Sequence, residues 1–177
     1  MKKKSILLTL LAVPLLLVAG IALFCDICRC RTYDSYAAFA ADGGRMLYDP
    51  GDSTVNLRFL LRKVPFGKLY LYAFTLPEEQ AAEFEQSLDQ RFQLTPETAP
   101  AQGTPAYWYG KTAGECADEN EGLDAIPLHL PFDRITDRDI RGATVIVWQP
   151  AGTGSRSSGV LTFPDTREYI CFEYLSR

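Results

Sequence analysis

The sequence predicts an α+β domain, an antiparallel sheet of about five to six strands with one main helix packed on one face, preceded by an N-terminal transmembrane or signal helix. Three observations carry this expectation. Several short segments alternate apolar and polar residues with a period of two and are separated by turn residues. One segment, about residues 76–92, has a helical period instead. Before all of these stands a charge-free apolar run, Ile6–Phe24.

That run, ILLTLLAVPLLLVAGIALF, has 19 residues. At ~1.5 Å per helical residue it reaches roughly 28 Å, close to the ~30 Å hydrocarbon core of a bilayer. A single helix satisfies its own backbone in lipid and tolerates a proline such as Pro14 there. Residues 1–24 are expected to be a retained signal anchor. The alternative is a secretory signal peptide, with MKKKS before the apolar stretch and Gly20-Ile21-Ala22 as a small-x-small cleavage site. Lys2, Lys3 and Lys4 outnumber Arg29 and Arg31 on the other side, which places the N-terminus inside and the domain outside. Residues 25–33 read as a juxtamembrane linker and 34–177 as one extracytoplasmic domain.

Within the domain, Asp34 or Ser35 caps a short helix that carries Tyr36, Phe39 and Ala40 and stops at Gly43-Gly44. Arg45–Tyr48 reads as a short strand before the turn Asp49-Pro50-Gly51-Asp52. Thr54–Val64 and Lys68–Leu76 alternate around Pro65-Phe66-Gly67 and form an antiparallel hairpin. Leu69, Leu71 and Ala73 lie on one side of the second strand, and Tyr70, Tyr72 and Phe74 on the other. The main helix opens with the capping box Thr75-Leu76-Pro77-Glu78 and runs its stripe through Ala81, Phe84, Leu88 and Phe92. Residues 93–105 are a proline-rich loop, 106–111 a candidate strand and 114–124 an acidic loop. A short helix is expected around 133–140, then strands at 143–149, 159–163 and 168–175. No long internal repeat recurs, which excludes a solenoid or propeller.

The charge balance is uneven along the chain. The whole carries 18 cations and 22 anions, but from residue 32 onward 13 cations face 21 anions, a net −8. Such a surface repels phosphate backbones and argues against nucleic-acid binding. The expected partner is the membrane, through residues 6–24.

Five cysteines divide into two sets. Cys116 and Cys171 either form a disulfide in an oxidising compartment or remain buried free thiols. Cys25, Cys28 and Cys30 form a juxtamembrane thiol cluster. One Cys-x-x-Cys without a second pair or nearby His is poor zinc-ligand spacing, so acylation, disulfides within or between chains, and incidental thiols are the readings that stand.

No motif specifies a reaction, a metal or a cofactor. A hydrolase would need Cys116 or a Ser beside His129, the only histidine, with Asp133 to orient it. Asp118-x-Asn120 begins like a calcium loop but lacks the fifth-position ligand and the terminal Glu. The Gly152–Gly159 loop is followed by a strand rather than by the helix that phosphate-cradling loops need. Tyr70, Tyr72, Tyr107, Trp108, Tyr109 and Trp148 either line a groove or fill a core. The expected function is a membrane-anchored, non-enzymatic binding or accessory protein of the envelope. The alternatives are the hydrolase and a surface protein that self-associates through disulfides.

Overall fold

The structure is a computed structural model that describes residues 14–15, 18–21, 29–50, 54–64, 67–92, 110–119, 126–149 and 156–176. Most of the predicted anchor lies outside these residues; the part described, 14–15 and 18–21, is helical. Among the described residues no helix is long and apolar enough to cross a membrane.

The elements run β1 (Cys30–Tyr33), α1 (Tyr36–Ala41), β2 (Val55–Val64), β3 (Gly67–Thr75), α2 (Glu78–Phe92) and α3 (Ala113–Glu119). Two 3₁₀ turns follow, Phe132–Arg134 and Ile140–Gly142, then β4 (Thr144–Gln149), β5 (Arg156–Phe163) and β6 (Glu168–Ser176). The six described strands make one sheet in the order β1-β2-β3-β6-β5-β4, every neighbour antiparallel. The C-terminal strand is thus central. Its sequence requires this: Tyr169 and Cys171 face one way, Ile170 and Phe172 the other, and all four are buried.

The main helix α2 packs on one face as expected, and the other face is covered as well. On one side α1 and α2 pack Phe39, Ala81, Phe84 and Leu88 over Phe59, Tyr72, Phe74 and Tyr169. On the other, α3 and the 3₁₀ turns pack Cys116, Phe132, Ile135 and Ile140 over Leu71, Trp148, Leu161 and Phe172. The reason is visible in β3, whose Leu69-Leu71-Ala73 and Tyr70-Tyr72-Phe74 sets are both too apolar to face water. Two bulges adjust the alternation. In β4 the register slips between Val145 and Val147, so Ile146 and Val147 both face the α1/α2 side. In β2 the slip falls between Val55 and Arg58, where Asn56 takes a φ of 54° and Val55 is left exposed.

The predicted helices and strands are met in part. α1 forms with Ser35 as its cap, accepting from the Ala38 N–H. The apolar stripe of α2 is buried at Ala81, Phe84 and Leu88. Tyr169 donates from its hydroxyl to Glu85 at 2.7 Å and ties that helix to the sheet. The expected strand at Arg45–Tyr48 is irregular chain instead. Cys30–Tyr33, read as linker, is edge strand β1, held by its pairing with residues 59–62 of β2. The helix expected at 133–140 is replaced by the two 3₁₀ turns. The acidic loop at 114–124 is helical through Glu119. There Thr112 and Glu115 cap each other: Glu115 accepts the Thr112 N–H at 2.7 Å, and the Thr112 hydroxyl accepts the Glu115 N–H at 3.2 Å. The Asp49–Asp52 turn is described only to Pro50, and the expected strand at 106–111 lies outside the described residues apart from Gly110 and Lys111.

Candidate functional site: an arginine-clamped carboxylate on the helix-covered face

Strand alternation sends Glu173 of β6 toward the same side as Tyr169 and Cys171, between Tyr70 of β3 and Ser158 of β5. Its side chain is 1% exposed. A carboxylate so buried requires partners. Arg45 supplies a two-pronged contact, donating from Nε at 2.9 Å and from Nη2 at 2.7 Å to the two carboxylate oxygens. Arg156, at the start of β5, makes an ion pair with the same group. The Arg45 guanidinium also lies 5.4 Å above the centre of the Tyr70 ring. Both arginines remain about half exposed, at 49%. The cluster therefore presents more positive than negative charge to solvent, on a domain that is otherwise acidic.

Beside it runs a buried polar line. The Tyr72 hydroxyl accepts the Tyr48 N–H at 2.8 Å and donates to the Tyr48 carbonyl at 3.0 Å. Tyr72 faces Cys171 across the β3–β6 pair. Burial raises the Tyr48 and Tyr72 phenols and the Cys171 thiol well above their ordinary values. Arg91 of α2 lies 5.3 Å above the Tyr48 ring and donates to the Leu47 carbonyl. Together with Arg45 these contacts fix the irregular segment 44–48 across the sheet. The arrangement holds charge and locks chain.

The structure places the residues singled out from sequence apart from one another. Cys116 and Cys171 are both buried thiols, one in the core under each face with the sheet between them, which is the second of the two arrangements that the sequence left open. Cys30 is exposed at the start of β1, while Cys25 and Cys28 lie outside the described residues. His129 is exposed, as is Asp133, whereas Cys116 is fully buried and burial pushes its thiol from 9.0 up to about 11. A cysteine nucleophile needs the reverse, an accessible thiol of lowered pKa. Of the acidic stretch, Glu115 caps α3, Asp118 binds Arg141 through both oxygens and Glu119 pairs with Lys111. Among the described residues no three His, Cys, Asp or Glu converge as metal ligands. Tyr70 and Tyr72 are buried on one face and Trp148 on the other, so they build cores rather than a groove; residues 107–109 lie outside the described residues. The Gly152–Gly159 loop is described only from Arg156, which already belongs to β5.

Two measurements follow from these thiols. In the native chain a thiol reagent is expected to leave Cys116 and Cys171 unmodified until denaturant is added, with the same masses whether or not reductant is present. A mass two hydrogens short that reductant restores would instead show the bridge. Stability is expected to fall in alkali. The folded chain keeps the Cys116 and Cys171 protons that the unfolded chain releases near pH ~9, so this contribution is complete below that pH. It is lost as pH rises through about 11, and the buried tyrosines act in the same direction. The urea midpoint at about pH 10.5 should lie clearly below that at about pH 8; equal midpoints would contradict the buried-thiol assignment.

Sequence reasoning passed over Glu173 and Arg45, and read Arg156 only as an anion contact of the Gly152–Gly159 loop. Glu173 carried a signal, a lone carboxylate on the inward side of the apolar strand Tyr169–Leu175. Arg45 carried none, since it stands 128 residues away. Comparison with family models, with curated proteins and with solved structures finds no match.

Proposed function

We propose that the chain is a membrane-tethered extracytoplasmic domain that acts by binding, as an accessory protein of the envelope, rather than by catalysis. One observation carries the tether. Leu15, Val18 and Ile21, all in the helical part of the apolar run, are 68%, 65% and 62% exposed. Apolar residues of this kind, in a run of bilayer length and without protein cover, are stable in lipid and unstable in water. The domain, by contrast, closes its apolar side chains into two cores. A binding role is favoured by the burial of Cys116 and Cys171 and the separation of Cys116 from His129 in exposure. Alkaline carbonate extraction of membranes, with the intact mass of the product, tests the tether. A chain of all 177 residues that stays in the pellet is the expected result. A chain shortened to Leu23 and released would mean secretion, and a full-length chain in the soluble fraction would overturn the reading.

A second reading has one observation in its favour. Cys30 is exposed on an edge strand, where a disulfide to another copy is accessible. A dimer band on non-reducing gels that disappears in the Cys25→Ser/Cys28→Ser/Cys30→Ser variant would support self-association through this cluster, and a band that persists would reject it.

A further inference from the structure

We propose that the end of the sheet at which the chain enters the domain rests on an anionic lipid surface, a contact that builds on the tether proposed above. The register gathers cations there. Lys63 of β2 lies directly opposite Lys68 of β3, Lys68 opposite Leu175 of β6, and Leu175 opposite Arg156 of β5. Arg29 extends the row, its carbonyl accepting the Lys63 N–H at 3.3 Å. One row inward, Arg62 faces Cys30. Among the described residues the outer row thus holds Lys63, Lys68 and Arg156, with Arg29 next to them, and no carboxylate. By strand alternation Lys63, Lys68 and Arg156 share the face that holds Glu173 and Arg45.

Like charges directly opposite on an antiparallel pair are destabilising, so the Lys63–Lys68 opposition works against the fold. Among the described residues no carboxylate forms an ion pair with Arg62, Lys63 or Lys68. Among the described residues from 32 onward, five cations at this end (Arg45, Arg62, Lys63, Lys68 and Arg156) meet two carboxylates, Asp42, which pairs with Arg31 and also feels Lys63, and Glu173. Asp133 and Arg134, which both act on the nearby Cys30 thiol, cancel each other. The excess of +3 stands on a domain whose total is −8 over the same span, from residue 32 onward. Acids outnumber cations at the far end: Glu78 and Glu79 follow β3, and Asp165 and Glu168 flank the turn into β6, where Arg167 pairs with Glu78 and Arg138 with Asp165.

The tether brings the basic end to the membrane. From Phe24 to Cys30 is six residues, which extended reach at most roughly 22 Å. With Ile6–Phe24 in lipid, the start of β1 stays within that distance of the hydrocarbon edge. Part of it is taken up by the headgroup layer, and the Debye length of ~8–10 Å lets the row feel a charged surface. Lysine and arginine near anionic headgroups are attracted to them, which relieves the repulsion within the row. The far, acidic end points away from the lipid.

The lysines supply the test. Lys63 and Lys68 lie in the basic row, and Lys111, whose carbonyl accepts the Val145 N–H at the start of β4, lies at the opposite end as an internal reference. The full chain is reconstituted into phosphatidylcholine vesicles with and without about 30% phosphatidylglycerol. It is then pulsed with an uncharged amine-acylating reagent and read by peptide mass spectrometry. Acylation of Lys63 and Lys68 relative to Lys111 is expected to fall at least about threefold in the anionic vesicles, and to recover in about 0.5 M salt. If the chain resists carbonate extraction from both vesicle types and the ratio is the same in both, the lipid contact is overturned while the tether stands. Protection equal in both lipids, whatever the salt, would assign the row to a protein surface such as the acidic end of a second copy, and also overturns it. A chain extracted from both vesicle types without protection overturns the tether and the contact together.

Discussion

Phe172→Ala is expected to lower the unfolding free energy by about 4 kcal/mol and the melting temperature by roughly 10 °C. Phe172 is fully buried in the central strand. Its ring packs edge-on to Phe132 at 5.7 Å and against Trp148 at 5.6 Å, joining the 3₁₀ turn and β4 to the middle of the sheet. It also lies over Gly159, where an added Cβ would sit 2.6 Å from the ring. Trp148 and Gly159 are held by strand backbone and cannot collapse into the space, so the cavity term adds to the lost transfer free energy. A change below about 1 kcal/mol in thermal or urea unfolding would contradict this placement.

Glu173→Gln is expected to cost about 2 kcal/mol, less than for a fully enclosed pair because Arg45 and Arg156 keep contact with water. The amide fills the same volume but cannot neutralise two guanidinium groups, and its NH₂ faces donors where the carboxylate accepted. Packing and charge can be separated by a combined variant. Glu173→Leu with Arg45→Met and Arg156→Met should be more stable than Glu173→Leu alone, because no guanidinium is then left without its counter-charge. If the triple variant is instead less stable than Glu173→Leu alone by more than about 1 kcal/mol, the arginines act through something other than this carboxylate.

The sequence was most legible where a period ran long enough to be unambiguous. The β2–β3 hairpin, the two faces of β3, the stripe of α2 and the three last strands all follow from alternation that packing then reinforced. Short elements were not legible. β1 has four residues with no apolar alternation and exists only by pairing with β2. α3 was hidden in an acidic run, although its Thr112-x-x-Glu115 cap was present to be read. The second covering layer was missed because its apolar residues, among them Ile126, Phe132 and Ile140, come from turns without a period. The carboxylate cluster and the basic row were hidden for a different reason. Both depend on register: the pairing of Val64 with Gly67 is what brings Lys63 opposite Lys68, and the insertion of β6 between β3 and β5 is what joins Arg156 to that row. Net charge along the chain gave the domain as acidic, whereas the register places Lys63, Lys68 and Arg156 together in one row.

The most direct measurement is thiol labelling in sealed, right-side-out membrane vesicles that carry the full-length Cys25→Ser/Cys28→Ser chain. Cys116 and Cys171 are buried, so Cys30, exposed where the domain begins, is the thiol that reacts. Modification of Cys30 by a membrane-impermeant maleimide without detergent, on a chain that remains in the membrane pellet, is the result predicted for an outward domain held by residues 6–24. Modification only after the vesicles are opened, or a chain that leaves the membrane intact in length, would contradict it.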